Sequence, residues 1–193
     1  IPPQQVSRMY DIIIRRASIV DGANAEEFKG DVAVADGRFV AAASRLEGDA
    51  VRRIDADGLA LAPGFIDIHC HSDRYHIEHP DGEIKLRQGV TLEMVGNCGA
   101  SLAPLVAERA QEAVDHAVGG SGRFKGAVDW LGYGQYAAKV AAARPIVNVM
   151  GLVGHGTLRI AAMGFAARPA KPDELARMEA LLDGAMAEGA AGM

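Results

Sequence analysis

The sequence has little of what would place the protein in an oxidising compartment, in a membrane or on nucleic acid. It contains two cysteines among 193 residues, too few for a disulfide framework, so we expect a reducing cytoplasm. No apolar run approaches the ~20 residues that a membrane helix needs. The net charge is −5 and there is no basic run, which argues against nucleic acid or an anionic membrane surface as a partner.

The first residues do not resemble a secretory signal. Ile1–Met9 contains two prolines and lacks an apolar core, so we do not expect it to act as a signal peptide. Met9 followed by Tyr10-Asp11 is typical of a native start. We therefore expect residues 1–8 to be disordered or non-native.

Residues 1–62 are predicted to form a small sheet or sandwich. Asp36-Gly37 and Asp57-Gly58 each separate two apolar runs and are typical two-residue hairpin turns. Several short strands joined by tight turns pack as a sheet or a sandwich. The predicted strands are Tyr10–Val20, Asp31–Ala35, Arg38–Ala43, Val51–Asp55 and Leu59–Ala62.

Residues 63–193 are predicted to form half of a barrel. Near-continuous apolar strands, buried on both faces, alternate with helices, which predicts a parallel sheet covered by helices. Three strand–helix units and the start of a fourth fit half of a (β/α)8 barrel. An open sheet is the alternative, but no Gly-x-Gly-x-x-Gly follows a strand, so a nucleotide-binding sheet has no support. The predicted strands are Phe65–Ile68, Thr91–Val95, Pro145–Met150 and Ala190–Met193, the predicted helices are Asp81–Gln88, Ala103–Val118, Asp129–Ala143 and Pro172–Glu188, and Gly119–Gly126 is a glycine-rich loop.

The strongest chemical signal is a pair of histidines at the end of an apolar strand. His69 and His71 close the stretch Pro63–His71. Residues two apart in a strand point to the same face, so both imidazoles can converge on one cation at the strand end, where barrel enzymes place their chemistry. Cys70 faces the other way and is expected in packing, and Asp67 is expected to orient the loop.

A thiol follows the next predicted strand. Cys98 lies in Gly96-Asn97-Cys98-Gly99, at the same end of the sheet as the histidines, and its flanking glycines allow a tight turn. A thiolate is a strong zinc ligand. The alternative is a small buried thiol, as most free cysteines are, but the neighbouring histidine pair favours a ligand.

Four stretches resemble the amidohydrolase superfamily, and three of them resemble its D-aminoacylase branch. Ala62–His71 is similar to the first barrel strand of the superfamily. Gln88–Pro104 is more specific and resembles the N-acyl-D-amino-acid deacylases, in which a cysteine ligand takes the place of the carboxylated lysine of related enzymes. Gly154–Arg159 and Ala187–Ala190 resemble the same branch.

The resemblance implies an α/β fold and a zinc site. N-terminal β-sandwich strands, residues 1–62, would precede the first three to four β/α units of a metal-dependent, TIM-like barrel, residues 63–193. Zinc would be held by His69, His71 and Cys98. In this family two further histidines and a catalytic aspartate lie later in the barrel, so the general base is expected beyond residue 193 and this portion alone is expected to be inactive.

Four residues are weaker candidates for contact with a substrate. His155, in a predicted loop after the third strand, lies on the active-site face if the barrel forms. Arg159 can meet a substrate carboxylate through a bidentate contact, although a structural or solvated arginine is the simpler interpretation. Asp73 and Tyr75 follow the histidine pair on its loop. Three further histidines are expected at the surface: His76, His79 and His116.

The resemblance implies metal-assisted hydrolysis of a small N-acyl-D-amino acid. Zinc polarises the carbonyl and brings the pKa of a water towards ~7, and a carboxylate passes the proton of the water to the departing amine. One alternative is a cyclic-amide hydrolase of the dihydroorotase or hydantoinase kind, which Cys98 argues against. The other is a non-catalytic scaffold with this fold, which the retained set of ligands argues against.

A half barrel is expected to need a covering surface. It leaves an unpaired edge strand and exposed apolar helix faces. We therefore expect the remainder of the barrel, or a partner chain, to be required for stability.

Overall fold

The computed structural model describes residues 9–119, 124 and 126–193, and the chain divides into two compact units between Pro63 and Gly64. Residues 1–8 and most of the predicted loop Gly119–Gly126 lie outside the described residues. Among the described helices, none has both the length and the apolar character needed to cross a bilayer.

The first unit is a five-stranded mixed sheet. Its strands are β1 (Met9–Ile19), β2 (Phe28–Ala35), β3 (Arg38–Ala43), β4 (Asp49–Asp55) and β5 (Ala60–Leu61). The hydrogen-bonded order is β3-β2-β1-β4, and β5 also pairs with β1. The hairpin predicted at Asp36-Gly37 is confirmed, because these residues have φ angles of 51° and 69° and join the antiparallel pair β2 and β3.

The hairpin predicted at Asp57-Gly58 is wrong. β4 and β5 both run parallel to β1, β4 beside Met9–Arg15 and β5 beside Ser18–Ile19. β1 is 11 residues long and its pairing is interrupted near Arg16, which has a φ of 62°. The first part of β1 therefore pairs with β4 and its last part pairs with β5. A turn dipeptide sets the local direction of the chain but does not select the strand with which the next segment pairs.

Apolar side chains pack on both faces of this sheet. Val32 and Ala33 are consecutive in β2 and belong to different clusters, since successive side chains of a strand point to opposite faces. The described residues of this unit contain no second sheet, so the sandwich stays a prediction.

Asp31 is expected to stabilise this sheet in a pH-dependent way. Its buried carboxylate accepts hydrogen bonds from Arg15 Nη1 (2.9 Å) and from the backbone N–H groups of Arg16 and Leu46 (both 3.0 Å). Burial by itself would raise the pKa of Asp31, but these bonds and the charge of Arg15 hold that pKa below its ordinary value of 3.8. The stabilisation is therefore complete at pH values above 3.8 and is lost as the pH falls through the folded-state pKa.

Asp31→Asn is expected to lower the free energy of unfolding by about 2 kcal/mol at neutral pH, because three donors lose a charged acceptor. Urea unfolding at about pH 7 and about pH 3 measures this, and the difference between the two proteins should be smaller at the lower pH. Asp21→Asn is the matched control, because exposed Asp21 accepts one bond, from the backbone N–H of Ala23 (2.8 Å), that asparagine can keep. Equal losses in both variants would contradict the prediction.

The second unit contains a parallel sheet of three strands and five helices among its described residues. The strands β6 (Phe65–Asp67), β7 (Val90–Val95) and β8 (Asn148–Gly151) lie in that order and confirm three predicted strands. The helices are α1 (Tyr75–Glu78), α2 (Ala110–Val118), α3 (Tyr133–Ala143), α4 (His155–Met163) and α5 (Pro172–Ala187). The structure assigns no strand to Ala190–Met193, although the backbone N–H of Ala191 donates to the carbonyl of Gly151 (2.9 Å).

The helix predicted over Asp81–Gln88 is wrong. The segment contains only a 3-10 turn, Leu86–Gln88. Gly82 packs so tightly that an added Cβ would lie 2.1 Å from the Tyr75 hydroxyl, and glycine is a weak helix former. The helix in this part of the chain is α1, which ends before the predicted segment.

The boundaries of the other helices follow proline, glycine and tertiary packing. α2 begins at Ala110 rather than Ala103. Pro104 disfavours helical backbone at Ala103, and Ala107–Arg109 forms a 3-10 turn before the helix. α3 begins after Gly132, and α5 has nearly the predicted range. The sequence does not predict α4, which glycines flank and which is stabilised by burial of one face rather than by propensity.

β6 is an edge strand, which contradicts the prediction that it is buried on both faces. Phe65, Ile66 and Ile68 expose 66%, 60% and 67% of their surface. The reason is that, within the part of the chain that the structure describes, β6 has β7 as its single partner. The core of this unit lies instead among the helices, around Leu102, Trp130 and other buried side chains.

Candidate metal centre

His69, His71 and Cys98 lie together beyond the carboxyl ends of two neighbouring strands. The histidines follow β6 and the cysteine follows β7. Their ligand atoms all lie within 4.8 Å of one another, and His69 Nε2 is 3.2 Å from Cys98 Sγ. All three side chains are exposed. The structure therefore brings together the three residues that the sequence predicts as ligands.

The donor set fits zinc. Zinc binds imidazole nitrogen and thiolate sulfur at roughly 2.1 and 2.3 Å, so two ligand atoms of a tetrahedral ion lie roughly 3.5 Å apart. Side-chain shifts of about 1 Å would bring atoms that lie within 4.8 Å of one another onto one ion. Three protein ligands leave a tetrahedral ion one position, as catalytic zinc sites require.

The Cys98 loop has an uncommon backbone. Gly96, Cys98 and Gly99 have φ angles of 83°, 56° and 76°. Position 96 requires glycine for two reasons: its positive φ, and the carbonyl oxygen of Leu152, which would lie 2.2 Å from an added Cβ. A cysteine at positive φ is rare, and such conformations cluster at functional sites.

Asp67 orients the histidine loop, as the sequence predicts. Its Oδ1 accepts the backbone N–H of His69 (3.2 Å), and its Oδ2 pairs with Lys85 Nζ. Lys85, with the His69 N–H, lowers the pKa of Asp67, so the carboxylate is ionised at neutral pH. The sequence does not predict Lys85, which lies in the segment wrongly predicted as a helix.

A buried polar cluster that the sequence does not predict lies beside the histidine loop. His76 Nε2 is 3.2 Å from Ser72 Oγ and 3.4 Å from Glu93 Oε2, and Ser72 Oγ donates to Glu93. Burial lowers the pKa of His76 despite the opposing effect of Glu93, so the imidazole is neutral at pH 7. The prediction that His76 lies at the surface is wrong, because α1 buries it. A glutamate inside the apolar run Val90–Val95 is the signal that would have indicated this cluster.

An open cavity of about 590 Å³ adjoins the two histidines. Tyr75, Arg74 and Lys85 contribute to its wall, and the Tyr75 ring centroid is 5.2 Å from that of His79. Tyr75 is therefore placed where a small molecule beside the histidines can touch it.

Asp73 lies away from the cavity wall. Its Oδ1 atom is buried and has no hydrogen-bond partner among the described residues. Burial raises the pKa of Asp73 to about 6, against the effect of a hydrogen bond from the Gly96 backbone. Asp73 is not among the residues that line the described cavity, and its contact with a substrate stays a prediction.

The two candidates on α4 are placed differently from each other. His155 is the exposed first residue of this helix rather than a loop residue. The helix start lies near the Cys98 turn, because the backbone N–H of Thr157 donates to the carbonyl of Gly99 (3.2 Å). Arg159 Nη2 donates to the carbonyls of Ala166 (2.7 Å) and Arg168 (2.5 Å). Arg159 therefore holds the loop after α4, which agrees with the simpler, structural interpretation, and its contact with a substrate stays a prediction.

Comparison with known proteins identifies the family. A profile described as that of an amidohydrolase family matches residues 52–193. The chain belongs to the amidohydrolase family. This amidohydrolase is 44% identical over 185 residues to an N-acyl-D-aspartate deacylase and 37% identical over 191 residues to a D-aminoacylase, both from Alcaligenes xylosoxydans xylosoxydans. These alignments cover 95% and 98% of this chain and 36% and 38% of the relatives.

A solved structure of the family is similar in fold. It is an N-acyl-D-glutamate deacylase from Bordetella bronchiseptica, complexed with zinc and a phosphonate inhibitor that mimics the tetrahedral intermediate of the reaction. The TM-score is 0.81 at 34% identity, over 96% of this amidohydrolase chain and 38% of that chain. The predicted resemblance to the D-aminoacylase branch is confirmed, and the chain spans little more than a third of the length of these relatives.

Proposed function

We propose that the protein hydrolyses the amide bond of N-acyl-D-amino acids at a zinc ion held by His69, His71 and Cys98. The observation that carries this proposal is the convergence of two imidazoles and one thiol within 4.8 Å. The substrate class is supported by the two relatives named as an N-acyl-D-aspartate deacylase and a D-aminoacylase. The products would be a D-amino acid and a carboxylate.

Each residue of the site has a distinct part in this proposal. When bound, zinc would polarise the amide carbonyl and activate a water. Asp67 keeps His69 in place through the backbone N–H of that residue. The cavity of about 590 Å³ is large enough for a small N-acyl amino acid, with Tyr75 in its wall. His155 stays a weaker candidate for substrate contact. By the resemblance, the general base would be an aspartate beyond residue 193.

We also propose that the second unit is the first half of a (β/α)8 barrel and that the strands before it belong to a sandwich, with the boundary near residues 62 and 63. Three parallel strands in chain order, with helices between them, support the barrel. The exposed apolar side chains of β6 support further strands, or a partner chain, as the covering surface. The two free thiols support a reducing, cytoplasmic compartment.

The test is hydrolysis by the full-length protein of N-acetyl-D-amino acids, with the L enantiomers as the matched control. We expect hydrolysis of the D series alone. Removal of zinc by a chelator should lower kcat/KM by more than about 100-fold, because the ion supplies several kcal/mol of transition-state stabilisation, and added zinc should restore it. Hydrolysis of a hydantoin or of dihydroorotate in place of the acyl amino acids would favour the cyclic-amide alternative and overturn the proposal.

A further inference from the structure

We propose that Asn97 is a positioning residue that holds the histidine loop and the cysteine loop at a fixed separation, so that His69, His71 and Cys98 meet on one ion. This inference rests on the proposed zinc centre. It assigns to Asn97 no contact with the ion or with a substrate.

The evidence is a pair of hydrogen bonds from one side-chain nitrogen. Asn97 Nδ2 donates to the carbonyl of Met94 (2.7 Å), near the end of β7, and to the carbonyl of Cys70 (3.3 Å). Cys70 is the residue between the two histidines, and Asn97 is the residue before Cys98. One amide therefore joins the chain positions next to all three ligands.

The chemistry of the amide explains why asparagine suits this position. The side-chain NH2 group has two N–H donors, and the two carbonyls accept one each. A carboxylate offers no donor at neutral pH, and alanine offers no polar atom. The Asn97 side chain is partly buried, so its bonds are made where competition from water is reduced.

The other contacts of the two loops do not replace this one. Thr157 fastens the cysteine loop to α4 through the Gly99 carbonyl, and Asp67 fastens the histidine loop to its own strand. Gly96 joins the loops through the Asp73 carboxylate, but Asp73 lies beyond the histidine pair. The Cys70 thiol also donates to the Met94 carbonyl (3.2 Å), but that bond ends on β7. The Asn97 bond instead joins the backbone between the two histidines to the residue before Cys98.

The test compares zinc affinity in Asn97→Ala and Asn148→Ala, both in the full-length protein. Asn148, in β8, is the matched control. Its Nδ2 also donates to a carbonyl of β7, that of Thr91 (3.0 Å), but at the start of the strand and far from the ligands in sequence. We expect Asn97→Ala to weaken zinc binding roughly tenfold, as loss of an outer-shell partner does, and Asn148→Ala to leave it unchanged. Zinc affinity is measured by competition with a chromophoric chelator, and urea midpoints of the zinc-free proteins show the effect on folding.

The outcomes separate positioning from stability. The inference is supported if Asn97→Ala alone binds zinc more weakly while the urea midpoints of the two variants are similar. A weaker thiolate-to-cobalt charge-transfer band in cobalt-loaded Asn97→Ala would also support it. A zinc affinity equal to that of the wild type overturns it. If Asn97→Ala does not fold, Asn97→Leu keeps the size of the side chain without its donors and is expected to show the same loss. Failure of the wild type to bind zinc would instead sink the proposed function.

Discussion

Replacement of Cys98 by alanine is expected to abolish zinc binding and, with it, hydrolysis. Loss of an outer-shell partner costs roughly 10- to 100-fold in metal affinity, so loss of a thiolate ligand should cost more than about 100-fold. Cys98 is exposed, so its truncation leaves no cavity in the core. Alanine and cysteine meet the same steric penalty at a φ of 56°. The free energy of unfolding of the zinc-free protein should therefore be unchanged.

The matched control is Cys70→Ala, which removes the other thiol. Cys70 lies between the two histidines but is buried, and its Sγ donates to the carbonyl of Met94 (3.2 Å). Burial raises the pKa of this thiol to about 11, so it stays protonated at neutral pH. Cys70→Ala should lower stability by about 1 kcal/mol and keep zinc. Metal analysis after dialysis measures the zinc that each variant keeps. Zinc retained by Cys98→Ala and lost from Cys70→Ala would show that Cys70, and not Cys98, is the ligand.

Gly96→Ala is expected to lower the free energy of unfolding by about 3 kcal/mol. A left-handed backbone costs a residue with a Cβ roughly 1–2 kcal/mol, and forcing atoms into a packed region costs roughly 1–3 kcal/mol. Both apply at Gly96, which has a φ of 83° and whose added Cβ would meet the Leu152 carbonyl oxygen at 2.2 Å. Relief of that clash would displace Cys98, so the variant should also bind zinc more weakly.

Gly189→Ala separates the two contributions. Gly189 has a φ of 101° and an added Cβ would meet no atom within 4 Å, so the variant carries the backbone cost without the clash. We expect a loss of about 1–2 kcal/mol with zinc affinity intact. Urea unfolding of both variants measures the difference, and equal losses would show that the approach to Leu152 does not matter.

The sequence determined the parts of this protein that depend on local pattern. An apolar run of the right length predicts β7, and a proline, two acidic residues and a 3.6-residue period predict α5. The metal ligands follow from the same logic, because two histidines after one predicted strand and a cysteine after the next share the edge of a parallel sheet. The topology needed for that placement was itself readable from the alternation of strands and helices.

Only the tertiary structure decided which distant groups meet. Four contacts join positions that no local period connects. They are the pairing of β4 and β5 with β1, the burial of His76 against Glu93, the bond from Asn97 to Cys70, and the bonds from Arg159 to the loop after α4. α4 belongs with them, because its burial outweighs the glycines that predict a loop. Local propensity contributes tenths of a kcal/mol per residue, whereas burial of a single side chain contributes about 1.5–3 kcal/mol, so packing overrides pattern wherever the two disagree.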